Sequence, residues 1–347
     1  MKTKILYLLI LFALQMHSQQ KTSKFKKLAN TQKAIFLPQC SPFATLSTGN
    51  NYSINAVCVS PNGLEILSSG DDGTIRLWDI NSKTQTNSIV GVKNNKGAIW
   101  PVTEVAFSPN GKTFISAQRD SYPKLWDTTT AKMIKRIGQK AAGVYSLAIS
   151  PNGILIATGA YGTIMIFDSN TNKEFSIEAA KNAAIISLKF SPDNKTLLAV
   201  SENQEITLWD ASNGSKIQIF DIHNYLKDVE FASAAAFTPD GNTIISSGFN
   251  KDPYQGIIKI WNANDGTLRR TIIDGQSADC LAISHDGSKF AAGNFDHSVK
   301  IWDVASGKLL KQFVGNKGFV QAIAFSPDDQ ILVSGSNGGT INLWKVN

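Results

Sequence analysis

The sequence is poor in the residues that build disulfides, metal centres and charged surfaces. It holds three cysteines (Cys40, Cys58 and Cys280) and four histidines among 347 residues, and 18% of its residues are charged. An odd, widely spaced trio of cysteines does not make a disulfide framework. His17, His223, His285 and His297 fall in unrelated segments and do not supply the about four close ligands of a structural zinc site. The strings GxSxG, HExxH and GxxxxGKS/T are missing, and with them the common hydrolase, metalloprotease and phosphate-loop signatures. The formal charge of +7 belongs to residues 1–33 alone, because beyond them 27 basic residues meet 27 acidic ones. A nucleic-acid partner ordinarily demands a basic face or stripe, so none is expected.

What is abundant is a repeated pattern. Residues 320–346, VQAIAFSPDDQILVSGSNGGTINLWKV, hold an alternating apolar run and then a Ser326-Pro327-Asp328-Asp329 turn. A second run, an Asn337-Gly338-Gly339 turn and a third run carrying Trp344 follow. Runs rich in β-branched and aromatic residues between Pro, Asp, Asn and Gly clusters form short strands joined by tight turns. The first turn recurs at Ser60-Pro61, Ser108-Pro109, Ser150-Pro151, Ser191-Pro192, Thr238-Pro239 and Ser284-His285. The third run recurs around Trp78, Trp126, Phe167, Trp209, Trp261 and Trp302. Seven copies result, 41 to 52 residues apart, and a four-stranded unit of about 40–45 residues is one propeller blade.

These copies resemble the WD-repeat (WD40) family, whose name is carried here by Trp78-Asp79, Trp126-Asp127, Trp209-Asp210 and Trp302-Asp303. The resemblance implies an all-β fold, a seven-bladed β-propeller of four-stranded antiparallel blades. Its repeats fall at 55–80, 101–128, 144–169, 185–211, 234–263, 278–304 and 320–346. It further implies a polar network in each blade: a His before the first strand, a Ser or Thr on the second, an Asp in the second turn, and the Trp. Asp72, Asp120 and Asp296 match the Asp and Asn203 nearly so, whereas Tyr161, Gln255 and Gly338 depart from it. Asn50, Gln139 and Asn316 stand where the His belongs. Blade stability is therefore expected to rest on apolar packing more than on that network. Cys58 stands where other copies carry Ala106, Ala148, Ala236, Ala282 and Ala324, which reads as a small buried residue. Cys280 lies on the inner strand of a blade not adjacent to the first, too far for the roughly 4.4–6.8 Å Cα separation of a bridge.

Residues 1–18 read as a secretory signal: Lys2 and Lys4, an apolar run over 5–14, then a polar end. The run is well short of the roughly 20 residues of a spanning helix, so export to a periplasm or beyond the cell is expected rather than a membrane anchor. No cysteine follows it directly to carry a lipid. Residues 19–33 form a Lys-rich flexible tail, a solvated tether or, alternatively, a segment drawn to an anionic surface. The propeller occupies 34–347. Its last repeat stops just after the Trp344 strand, so the outer strand of that blade must come from the N-terminal side. Residues 42–48 resemble the Lys311-Gln312-Phe313-Val314 run that follows Trp302 and are expected to pair with the Trp344 strand, covering an open sheet edge. One string imitates a calcium loop, with Asp168, Asn170 and Asn172 alternating. Lys173 and Ala179 occupy the places of the required Gly and Glu, so it reads as a turn.

Antiparallel order puts the 2–3 and 4–1 loops of every blade on one face. The Ser-to-Trp interval is 18 in five repeats but 23 in the fifth, the excess falling in 249–256. The Trp-to-Ser interval is 23 or 24 except for 30 after Trp78 and 29 after Trp209, the excesses falling in 92–100 and 223–230. All three insertions belong to the same face. That face also gathers Tyr52, Lys96, Trp100, Arg119, Tyr122, Tyr145, Tyr161, Tyr225, Lys227, Tyr254, Phe295 and Phe319. Aromatic residues and Arg dominate hot spots at protein interfaces. The expected function is an exported, monomeric, non-catalytic scaffold that binds a protein or peptide there, as other WD-repeat propellers do. No catalytic residue, cofactor or metal is expected. The alternatives are a propeller lactonase or hydrolase, for which Asp279 is the one inner-strand carboxylate placed at the channel mouth, and a structural part of a cell-envelope complex.

Overall fold

The computed structural model describes residues 39–91, 99–119, 122–138, 143–220, 231–249, 255–275 and 277–347. Alternating side chains and turn residues resolve them into seven sheets. Blade one is Ile54–Val59, Glu65–Gly70, Thr74–Asp79 and Thr84–Val90, each strand antiparallel to the next. Five further blades repeat this order. Each inner strand packs against the inner strand of the following blade, and Val320–Phe325 of blade seven packs back on Ile54–Val59, which closes the ring. The result is a seven-bladed propeller with no helix among the described residues.

Blade seven closes as expected. Ala44–Ser47 runs antiparallel to Thr340–Lys345, pairing Ala44 with Leu343 and Ser47 with Thr340. Phe43 N–H donates to the Leu343 carbonyl at 3.0 Å and Thr48 N–H to that of Gly339 at 3.2 Å. The structure adds a strand that the repeat pattern did not reveal. Gln39–Cys40 lies parallel to Leu309–Phe313 on the outer edge of blade six, making that sheet five-stranded. The N-terminal strap therefore crosses the seam between blades six and seven and covers two edges. A two-residue parallel pairing has no pattern of its own, so sequence alone did not signal it.

The apolar cores lie between blades. Leu46, Ile341 and Leu343 of blade seven pack with Ile54, Val57 and Trp78 of blade one. Trp344 and Trp261 are almost wholly buried. Phe290 stacks on Trp302 at 5.2 Å, and Phe114 on Trp126 at 6.1 Å. Burying such rings is the dominant favourable term of folding.

At the face away from the long loops, the Ser-Pro turns interlock. The first-turn Gly of one blade adopts positive φ, and the proline of the preceding blade's turn fills the space beside it: Pro239 Cδ lies 3.1 Å from where a Cβ would stand on Gly287. Where blade six has His285 for Pro and blade seven has Asp329 for Gly, a polar contact replaces this one. Asp329 accepts the backbone N–H of His285 at 2.8 Å and of Asp286 at 2.9 Å, and meets His285 Nδ1 at 3.1 Å.

The polar network survives with asparagine in the histidine place. In blade seven Trp344 Nε1 donates to Ser334 Oγ at 2.9 Å, and Ser334 Oγ donates to Asn316 Oδ1 at 2.8 Å. Asn342 Nδ2 donates to the same Asn316 oxygen at 2.9 Å, and Thr45 Oγ1 of the closing strand donates to Asn342 Oδ1 at 2.7 Å. In blade one Trp78 Nε1 donates to Ser68 Oγ, while Asn50 and Arg76 both donate to Asp72. Burial works against ionised Asp72, but the hydrogen bonds from Arg76, Asn50 and the Thr74 N–H outweigh it and hold the carboxyl below its usual range. An amide can both accept and donate, so it replaces a neutral imidazole in this place.

Cys58 and Cys280 are free thiols. Cys58 is half-buried rather than buried, because its strand position opens onto the channel. Burial pushes its thiol up to about 12, and pushes that of Cys280 up as well.

Candidate functional site

The channel mouth is shaped by one device used six times. The inner strands slip register between Ile54 and Ala56, Val102 and Glu104, Ile185 and Ser187, Ala232 and Ala234, Ala278 and Cys280, and Val320 and Ala322. A bulge re-aims the extra residue, here Asn55, Thr103, Ile186, Ser233, Asp279 and Gln321. Tyr145 holds the corresponding place in blade three, immediately before Ser146–Ile149. These side chains stitch neighbouring blades: Asn55 Nδ2 donates to the Val102 carbonyl at 3.1 Å and Thr103 Oγ1 to that of Val144 at 2.9 Å. Backbone groups left open between inner strands thereby find partners.

Among the described residues two carboxylates lie on the inner strands that line the channel: Asp279, as expected, and Glu104, which was not expected there. Burial pushes Asp279 up to about 7 against a hydrogen bond from Ser277, and pushes Glu104 up to about 7 against the attraction of Lys189. Among the described residues, no group of three His, Cys, Asp or Glu side chains is arranged to hold a metal. Asp168, the first member of the calcium-like string, is committed to its turn, accepting the N–H groups of Asn170 and Thr171.

Of the twelve residues expected on the binding face, Lys96, Tyr225, Lys227 and Tyr254 lie outside the described residues, as does most of each inserted segment. The roots of those segments are described. Phe249 ends the second strand of blade five and Phe231 begins its inner strand; they are register partners and their rings stack 4.7 Å apart. Gly73, in the 2–3 turn of blade one, leaves no room for a Cβ beside Ile99 and Trp100, and Gln118 Nε2 donates to the Trp100 carbonyl at 2.7 Å. Ile99 and Trp100, which lead into blade two, therefore lie beside the 2–3 turn of blade one and the end of the second strand of blade two.

The described residues divide into two sets. Tyr52, Trp100 and Tyr161 offer rings to solvent, with 58%, 38% and 51% of their surface exposed. Phe295 and Phe319 instead pack on each other at 4.5 Å, with His297 edge-on to Phe319 at 5.6 Å, and are half-buried under their own loops. Arg119 lies 5.1 Å over the Tyr145 ring, joining blades two and three. Tyr122 is capped by Arg136 at 5.4 Å. Sequence reading missed Arg136, Phe231, Phe249 and His297. Arg136 ends an outer strand, and its register pairing with Lys124 is the signal that places it at the loop face.

No helix among the described residues is long and apolar enough to cross a membrane. The family model described as WD domain, G-beta repeat matches residues 40–79, 93–127, 266–303 and 307–345. That described as Anaphase-promoting complex subunit 4 WD40 domain matches residues 147–234. Among curated relatives, apoptotic protease-activating factor 1 of Homo sapiens is 27% identical over 296 residues, covering 84% of this chain and 22% of that protein. Autophagy-related protein 16 of Arabidopsis thaliana is 22% identical over 60% of this chain and 40% of its own length. Cilia- and flagella-associated protein 52 of Mus musculus is 25% identical over 55% of this chain and 30% of its own length. The chain thus spans well under half the length of the relatives it matches.

Proposed function

This chain belongs to the WD40-repeat family of seven-bladed propellers, and we propose that it is an exported, non-catalytic scaffold. It acts as a monomer and recognises a protein or peptide across the face bearing the 2–3 and 4–1 loops. One observation carries the reading. The roots of the long segments, the Phe231–Phe249 stack in blade five and Ile99–Trp100 in blade two, open on the same face as the exposed rings of Tyr52, Trp100 and Tyr161. An aromatic ring left in water at a concave mouth is poised to bury area at little entropic cost, which is how interface hot spots work. Export is supported by the leader-like residues 1–18.

Capture of partners from the native envelope fraction tests both parts. A discrete protein partner lost on Trp100→Ala or Tyr254→Ala is expected. Unaltered capture by both variants contradicts the chosen face. Turnover of lactones by purified protein contradicts the non-catalytic assignment.

A further inference from the structure

Two arginines on this face are stacked but unspent. Arg119 follows the second strand of blade two and lies over the Tyr145 ring of blade three at 5.1 Å; Arg136 ends the outer strand of blade two and lies over Tyr122 at 5.4 Å. Neither guanidinium has a hydrogen-bond acceptor or a carboxylate partner among the described residues, and Arg119 Nε is buried with no partner at all. Arg76, by contrast, is paired with Asp72, and Lys300 with Asp274. A guanidinium held over a tyrosine ring by cation–π attraction has given up some of its rotamer freedom while its N–H donors stay available for an acceptor.

In a ring of seven, the blade facing the seam between two and three is blade six, which presents Asp279 at the channel and exposed Asp296 in its 2–3 turn. Carboxylates thus stand on both sides of the channel, Glu104 on the inner strand of blade two and Asp279 on that of blade six, whereas the two guanidiniums without an acceptor among the described residues both lie on the blade two–three side.

We propose that the ligand of this face is an anionic peptide segment whose oxyanions, carboxylate or phosphate, are received by Arg119 and Arg136 at the blade two–three side. The inference rests on the loop-face reading above and deepens it. Arginine edges match planar oxyanions with charge-assisted hydrogen bonds. Because the tyrosines hold the two guanidiniums from different elements, each contributes separately.

The test uses the full chain and three labelled ten-residue peptides: glutamate-rich, phosphoserine-containing, and lysine-rich. Fluorescence anisotropy at low and physiological salt should show binding of the glutamate or the phosphoserine peptide, the tighter of the two naming the source of the oxyanion, and none of the lysine peptide. The double variant Arg119→Gln, Arg136→Gln should lose at least tenfold in affinity, and Arg119→Lys with Arg136→Lys should lose less. Arg269→Gln with Arg270→Gln, the same charge change on the outer strand of blade five, should lose nothing. Melting curves confirm that each variant is folded, and exposed Arg136→Gln alone serves if the double variant is not. Absence of binding by both anionic peptides, equal binding of the lysine peptide, or equal loss in the blade-five variant overturns the proposal. If the native partner is lost on Trp100→Ala yet retained by the double arginine variant, the anionic ligand is refuted while the loop-face reading stands.

Discussion

Phe231 and Phe249 stack 4.7 Å apart with their ring planes 17° from parallel, one opening the inner strand of blade five and the other closing its second strand. Phe249 is the last described residue before one inserted segment and Phe231 the first after another, so the stack joins the roots of both. Phe249→Ala should weaken partner capture while costing about 1 kcal/mol of stability, the scale of an aromatic pair that is only half-buried. Paired melting and capture measurements check this. A large fall in melting temperature with capture intact would show that the stack serves the fold alone.

The strap over blades six and seven should act in two steps. A chain beginning at Phe43 loses Gln39–Cys40 from blade six but keeps Ala44–Ser47 in blade seven; its melting temperature should fall slightly. A chain beginning at Asn51 loses both, and with them several backbone hydrogen bonds worth about 1 kcal/mol each. It should melt markedly lower or aggregate through the bared edges. Equal melting of all three chains contradicts the closure.

Asn316 sits where an amide joins Trp344, Ser334, Asn342 and, through Asn342, Thr45 of the closing strand. Asn316→Ala leaves buried Ser334 and Asn342 groups short of a partner. The expected loss is about 1–3 kcal/mol, measured as a lowered denaturant midpoint with an unchanged slope.

The ring was legible in the sequence because each strand and turn carries its own chemistry seven times over. Trp or Phe marks every third strand, and even the degenerate Phe167 keeps its place in the ladder opposite Ile156. The closing strand was legible because Leu46 and its neighbours imitate the run after Trp302. Gln39–Cys40 was not, since two parallel residues leave no period to read. The amide-for-imidazole exchange at Asn316 was also hidden, because what matters there is hydrogen-bond capacity rather than residue type. At the candidate site, residue types indicated the face, but only side-chain packing separates the exposed Trp100 from the half-buried Phe295 and Phe319, which pack on each other.

Acid should loosen the turns. Hydrogen bonds from Ser284 and the Ser288 N–H hold Asp286 down to about 2, and serine or threonine neighbours likewise lower Asp79, Asp127, Asp210 and Asp303. A carboxyl with a folded value below its unfolded value of about 3.9 contributes stability that is complete above that value. For Asp286 the contribution is lost as pH falls toward about 2. The melting temperature should drop steeply below pH 4, and Asp286→Asn should make the drop shallower.

The channel carboxylates act with the opposite sign. Glu104, pushed up to about 7 by burial, holds its proton in the folded chain over a range where the unfolded chain, near 4.3, has released it. Its contribution is therefore present at acid pH and lost as pH rises from about 4 to 7. Glu104→Gln should flatten the melting-temperature profile in that window. An unchanged profile would mean that channel water solvates the carboxylate fully.

The most direct test of the account is a hydrogen-exchange footprint of the full chain with its captured partner. Protection confined to the segments around Tyr52, Trp100, Arg119, Tyr145 and Tyr161 is the predicted result. Protection of the Ser-Pro turns around Pro61, Pro109 and Pro239, with the long-loop face unchanged, would contradict it.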